Sequence, residues 1–470
     1  MSIFATEKEN NLSKKLIYFY PFFISLFFLM ATPIAVIYTK ECDFFDNIIR
    51  ILTSPSKLVT DYFALGGLGS TLFNAAVCGL FTNLIVYLSR AKANATILAG
   101  YMLVVAHCFY GLNFLNMWPP LFGILLYCAV MKKKVSENIH IAFFSTALAP
   151  FVSELCFRYA IKNYTASQIN VNWVGVGLSI VCGLAIGFII PALLPGTSSM
   201  HRGYSLYKAG LAIGILGIFL NAFMYSTLGV DEPVNTQISN DSYYALTYGY
   251  RGFMNVFFII LFLLTLIVGL ILDKNSLRTY RELLKCTGHG TDFTDKFGMP
   301  TCMINIAIYG FAMLVYLNFV FILPSVFPEL PDGVGFTGAT AGVVLAALTF
   351  AADGQHIKNV FPIAVGYVFL FVLVVIICAL TGFDIPWSLS TQAYISSLAF
   401  ATGLCPIAGK YGFRYGVLAG FMSAVICTVT AKMHGGFVLY NGGFNAGITA
   451  IVLIPILDFY NVKPIRESDV

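Results

Sequence analysis

Long apolar runs broken by short polar stretches dominate the chain, and their spacing predicts helices throughout. The first set lies near residues 15–37, 68–89, 93–111, 117–131, 138–158, 173–193 and 205–225. A polar stretch at 228–250, rich in Asp, Asn, Ser and Tyr, is followed by a second set near 251–272, 300–323, 335–352, 359–380, 391–409, 412–431 and 443–460. Nearly every run reaches the roughly 17 to 25 residues a helix needs to cross a bilayer. Strands would require a closed barrel with alternating apolar and polar positions, and the runs show no such alternation. The runs at 117–131 and 391–409 are the shortest or most interrupted. The expected fold is therefore all-α and polytopic, with about 14 transmembrane or re-entrant helices.

The two sets resemble each other in detail. Arg50, Thr60, Asp61, Gly67, Asn74, Ala76 and Gly79 recur 231 residues later as Arg281, Thr291, Asp292, Gly298, Asn305, Ala307 and Gly310. Gly111, Asn116, Pro119 and Gly123 recur 243 residues later as Gly354, Asn359, Pro362 and Gly366, with Asn113 aligned to His356. MHRGYSLYKAGLAIGI from Met200 and MHGGFVLYNGGFNAGI from Met433 close the two halves at an offset of 233. Collinear matches at nearly constant offsets indicate internal duplication. Seven crossings per half is an odd number, so the second half enters from the opposite face and the repeats are inverted. The expected division is an N-terminal segment 1–14, a first membrane repeat 15–227, a linker 228–250, a second repeat 251–460 and a tail 461–470.

Composition supports a membrane solvent. Hydrophobic residues make up 58% of the 470 and charged residues only 10%, far below the roughly 25% a soluble surface carries. The net charge of +5 is read as topology, and no nucleic-acid partner is expected. With the N-terminus inside, only Lys40, Arg50, Lys57, Arg158, Lys162, Arg251 and Lys432 of the 27 Lys and Arg fall outside. The positive-inside rule then places both termini in the cytoplasm. The eleven Cys are scattered, without spacing for zinc or a disulfide framework. Neither a Walker A sequence nor a dinucleotide fingerprint, HExxH or GxSxG occurs. No metal, catalytic group or cofactor is expected beyond a coupled proton or sodium ion.

The candidate chemistry lies in sparse polar groups among the apolar runs. Asn113 and Asn116 fall between the third and fourth helices, and Asp353, His356, Lys358 and Asn359 between the tenth and eleventh. At helix breaks such groups can orient a solute while a carboxylate or imidazole carries a proton. The plainer alternative is a short solvated loop. Asn74 and Asn305 either bind solute or hydrogen-bond a neighbouring helix. Glu154, flanked by apolar residues, is a second coupling candidate beside Asp353, and its offset partner is Lys410. His107 is read equally as a packing residue or an interior group.

LGGLGSTLFNAAVCG, GLNFLNMWPPLFG, DGQHIKNVFPIAVG and YNGGFNAG together resemble an uncharacterised family of bacterial multipass membrane proteins, a domain of unknown function met mainly among Firmicutes. The resemblance covers most of the chain and implies a bacterial plasma membrane, without a substrate or catalytic residues. The seven-plus-seven arrangement is also similar to nucleobase and anion transporters, whose sites lie between the third and tenth helices; that similarity draws attention to Asn113 and His356 without transferring a substrate. The leading expectation is a secondary transporter of a small polar or anionic solute. In it Asn113, Asn116, His356, Asn359, Asn74 and Asn305 bind solute, and Glu154 or Asp353 couples the ion. A membrane enzyme acting on a lipid or isoprenoid phosphate, and a channel or non-transporting sensor, are the alternatives. Partners other than the bilayer and the solute, and the oligomeric state, are left open.

Overall fold

The computed structural model describes residues 7–58, 60–159, 171–230, 241–331 and 333–465, with side chains except at 7–11 and 241–249. Lys162, Arg466, residues 231–240 of the expected linker and the last five residues of the tail lie outside the described residues. The first half contains α1 (Glu7–Thr39), α2 (Phe44–Thr53), α3 (Tyr62–Ser89), α4 (Ala95–His107), α5 (Trp118–Val130), α6 (Val135–Ser145), α7 (Ala149–Phe157), α8 (Trp173–His201) and α9 (Lys208–Asn221). The second contains α10 (Asp241–Leu272), α11 (Ser276–Leu283), α12 (Phe293–Phe297), α13 (Met299–Val326), α14 (Gly338–Ala347), α15 (Ile357–Thr381), α16 (Gln392–Ala401), α17 (Cys405–Tyr411), α18 (Phe413–Met433) and α19 (Asn441–Phe459). Helix α10 begins at Asp241, so the end of the expected 228–250 linker is helical.

Among the described residues ten helical segments are long and apolar enough to cross a membrane, joined by three shorter apolar helices, α4, α5 and α14. Their outer surfaces are apolar. Ile37, Trp173, Leu380 and Phe459 all stand exposed, Leu380 at 82%, which suits lipid rather than water as the surrounding solvent. The chain is thus a multi-span, all-α membrane protein.

Several expected helices are shorter or broken, each for a local reason. The run at 335–352 is helical only as α14, after which turns run to Gly354, whose φ of +134° suits glycine. The run at 93–111 likewise ends as α4 at His107, with Gly111 at φ +124°. The 138–158 and 391–409 runs are divided by 3₁₀ turns, Thr146–Leu148 and Thr402–Leu404, and resume with Pro150 and Pro406 near the first helical position. Proline has no N–H to lose there, whereas further inside a helix it removes the bond back to the preceding turn. Near its start α3 is kinked at Gly67 (φ +82°), and α12 breaks from α13 at Gly298 (φ +79°). The amides freed at these kinks are taken by other elements: Glu41 accepts from Gly69 N at 2.9 Å, and Ser13 Oγ from Met299 N at 2.8 Å.

Glycines set the tightest helix crossings. A Cβ on Gly187 would stand 2.0 Å from the Pro120 carbonyl oxygen where α8 crosses α5, and one on Gly420 would stand 2.1 Å from that of Ile363 where α18 crosses α15. Small residues permit such backbone contact, which substitutes for hydrophobic driving force inside a bilayer. Gly123 and Gly366, aligned at the offset of 243, lie in these same two crossings.

Candidate functional site

Asparagines hold the two irregular segments between α4 and α5 and between α14 and α15. Asn74 Nδ2 donates to the carbonyls of Cys108 and Leu112, both at 3.0 Å. Asn305 Nδ2 donates to those of Ala351 and Gln355, both at 2.7 Å. Both pairs of acceptors follow a helix that has run out, so each amide replaces lost intrahelical partners. Asn116 Oδ1 accepts from Asn113 N at 2.8 Å while its Nδ2 donates to Gly111 O at 2.9 Å. Asn359 repeats the arrangement, accepting from His356 N at 2.9 Å and donating to Gly354 O at 2.9 Å. Asn113 Nδ2 reaches Ile51 O beyond the middle of α2, and His356 Nε2 reaches Cys286 O just after α11, each at 2.9 Å.

These groups are buried, Asn113 at 0%, Asn116 at 2%, His356 at 1% and Asn359 at 3% exposure, whereas Lys358 is exposed. The solvated-loop alternative therefore fails for Asn113, Asn116, His356 and Asn359, while Asp353 is partly accessible and Lys358 exposed. The structure brings Asn74 together with the Asn113 segment, and Asn305 with the His356 segment, as two separate frameworks.

The two halves interlock through matching contacts. Asp61 caps α3 through Phe63 N at 2.8 Å and also accepts from Gly338 N, at the start of α14, at 2.9 Å. Asp292 caps α12 through Thr294 N at 2.8 Å and also accepts from Ala95 N, at the start of α4, at 3.3 Å. Leu206 N donates to Gly403 O at 2.9 Å, and Leu439 N to Ala147 O at 3.0 Å. Tyr207 Oη donates to Ala346 O at 2.8 Å, and Tyr440 Oη to Phe144 O at 3.2 Å. Apart from the caps to Phe63 N and Thr294 N, each of these bonds joins one half to the other; the two tyrosine acceptors, unlike the other partners, are not aligned positions.

At this junction lies a cavity of about 40 Å³ lined by Thr96, Phe144, Tyr207, Lys208, Phe350, Asp353 and Tyr440, among others. Asp353 is partly accessible and Lys208 is exposed. The volume admits only a few water molecules, so a solute enters only if the walls move. Aromatic rings from both halves form those walls: Phe144 and Tyr207 from the first and Phe350 and Tyr440 from the second, with Tyr207 4.7 Å from Phe350, centroid to centroid. Asp353 is the one expected site residue that lines this cavity. Tyr207, Lys208 and Tyr440 were not among the expected site residues; their signal was the Met200 and Met433 repeat, which places Tyr207 and Tyr440 at one aligned position.

Glu154 lies apart from the cavity lining. Its Oε1 accepts from Arg158 Nη1 at 2.6 Å and stands 3.5 Å from Tyr225 Oη. Lys410, its offset partner, lies instead over the ring of Tyr204 at 5.4 Å. The two do not pair: the cation beside Glu154 is Arg158, one helical turn along. Among the described residues no group of three His, Cys, Asp or Glu is arranged to hold a metal ion.

No curated protein and no solved structure matches the chain. A family profile, described as a protein of unknown function (DUF1576), matches residues 40–226 and 272–459. The two segments begin 232 and end 233 residues apart, in step with the sequence offsets between the halves. Together they cover most of the chain, which therefore belongs to the DUF1576 family.

Proposed function

We propose that the protein is a secondary transporter that moves a small polar or anionic solute by alternating access, coupled to a proton or a sodium ion. The observation that carries this reading is the cavity at the junction of the halves, where a carboxylate and an exposed lysine meet aromatic walls drawn from both. Binding sites in duplicated carriers lie at the repeat interface, beside interrupted helices. Here the interrupted elements are α4 and α14, each capped by an aspartate of the opposite half.

The ten long segments, the three short helices and the broken pair α16 and α17 give fourteen crossings. Seven per half makes the repeats inverted. The excess of Lys and Arg then puts both termini in the cytoplasm of a bacterial cell. In this reading Asp353 and Lys208 meet the solute between Tyr207 and Tyr440. Asn74, Asn113, Asn116, Asn305, His356 and Asn359 hold the segments that shape the cavity. Asp353 is the coupling carboxylate rather than Glu154, whose charge is already met by Arg158.

Uptake of a panel of radiolabelled small polar and anionic solutes into proteoliposomes tests this assignment. Asp353→Asn is expected to lower uptake of the transported solute at least tenfold, and Glu154→Gln to lower it far less. Uptake that is indifferent to Asp353→Asn contradicts the assignment.

A further inference from the structure

We infer that His107 and Tyr110 line a second compartment of the solute path, sealed in this conformation, which opens on the face opposite to the Lys208 cavity; this rests on the carrier reading above. His107 is 1% and Tyr110 2% exposed. Neither imidazole nitrogen, nor the Tyr110 hydroxyl, has a hydrogen-bond partner among the described residues. Buried polar groups are normally paired, and one left without a partner calls for a cause. The nearby phenols of Tyr207 and Tyr440 do find carbonyls, so the surroundings do not forbid pairing.

Packing shows what seals the compartment. The His107 ring lies flat on Tyr440, with centroids 5.5 Å apart and planes 7° apart, and faces Phe400 at 6.4 Å. Tyr110 meets His107 edge-on at 5.5 Å. Tyr440 also lines the open cavity, so one ring is common to both places.

The duplication makes the relation specific. His107 and Tyr110 align with Phe350 and Asp353 at the offset of 243, and Tyr440 and Asn441 with Tyr207 and Lys208 at 233. Phe400 aligns with Phe144 at 256, the offset that relates Pro150 to Pro406. All five counterparts, Phe350, Asp353, Tyr207, Lys208 and Phe144, line the open cavity. Exchange of conformation between inverted halves therefore closes the Asp353 side and opens one lined by His107, Tyr110, Phe400, Tyr440 and Asn441. There the solute meets an imidazole, a phenol and an amide in place of a carboxylate and an ammonium group. A small solute with hydrogen-bonding groups would occupy the donors and acceptors that stand unpaired in the sealed state.

Sided labelling tests the inference. Lys208→Cys, Tyr110→Cys and Asn441→Cys are placed singly in the full chain, reconstituted in vesicles of one orientation and exposed to a charged, impermeant methanethiosulfonate reagent on either face. Incorporation is read above that of the unsubstituted chain. Lys208→Cys is expected to label from one face only, and Tyr110→Cys and Asn441→Cys from the other only. Asn441 is half-buried at a helix start, so it serves if Tyr110→Cys fails to fold. Labelling of Tyr110→Cys or Asn441→Cys from the Lys208 face overturns the inference, as does failure of both to label while Lys208→Cys does. Solute uptake by the unsubstituted chain is scored separately: uptake without the opposite-face labelling leaves the carrier reading standing and removes the second compartment.

Discussion

At the scale of single residues, the amides of Asn74 and Asn305 bear the greatest structural demand. Each satisfies two carbonyls that no helix serves, inside a region where water is scarce. Asn305→Ala leaves Ala351 O and Gln355 O without that donor, at a cost of about 1 to 3 kcal/mol for a stranded buried group. The purified variant should melt several degrees below the unsubstituted protein in detergent, and Asn74→Ala should behave alike. An unchanged melting temperature would mean that other donors replace the amide. These two residues were legible in the sequence because they recur at a constant offset, but recurrence alone left ligand binding and framework bonding equally open. His107 was legible only as an apolar-helix histidine. Its unpaired nitrogens depend on which rings the fold stacks against it, and Phe400 and Tyr440 lie some 300 residues away in sequence.

At the scale of elements, the crossing of α5 with α8 depends on glycine at particular turns. Along α8 a Cβ on Gly183 would stand 2.3 Å from Pro119 Cβ and one on Gly187 2.0 Å from Pro120 O, whereas Gly177 and Gly196 meet nothing within 4 Å. Gly187→Ala should therefore sharply reduce the folded fraction recovered by size-exclusion chromatography. Gly177→Ala should leave it unchanged or raise it, since alanine favours a helix over glycine by roughly 0.5 to 1 kcal/mol. Equal behaviour of the two variants would show that α5 and α8 do not pack this closely. The long helices were legible from apolar run length. The breaks within 138–158 and 391–409 were not, although Pro150 and Pro406 marked them, because a proline in the first turn of a helix is compatible with either a new start or a continuous span. The shortness of α4 and α14 was also hidden, since the first residues after each, Cys108 to Tyr110 and Leu348 to Ala352, are still largely apolar.

At the scale of the whole molecule, the same contacts are made twice between halves that are otherwise unlike in detail. The Asp61 and Asp292 caps and the Leu206 and Leu439 bridges cross the junction in matched pairs, and the Tyr207 and Tyr440 hydroxyls cross it to carbonyls at positions that do not align. At the cavity the symmetry is broken, with Asp353 opposite Tyr110 in the alignment and Lys208 opposite Asn441. A framework held by paired bonds with unlike polar groups at its centre can exchange one half's conformation for the other's, while presenting different chemistry to each face. The duplication was legible from sequence, but the cavity was not. Its walls come from five separate segments, and only folding places Thr96, Phe144, Tyr207, Phe350, Asp353 and Tyr440 around one space.

The most direct test of the carrier account is solid-supported-membrane recording on the purified protein in liposomes, with small polar and anionic solutes applied while proton and sodium gradients are varied separately. A transient current that needs one solute and responds to one of the two ions, and that is lost in Asp353→Asn, is the expected result. A steady conductance that persists without any solute, or turnover of a lipid phosphate with no solute current, would contradict the account.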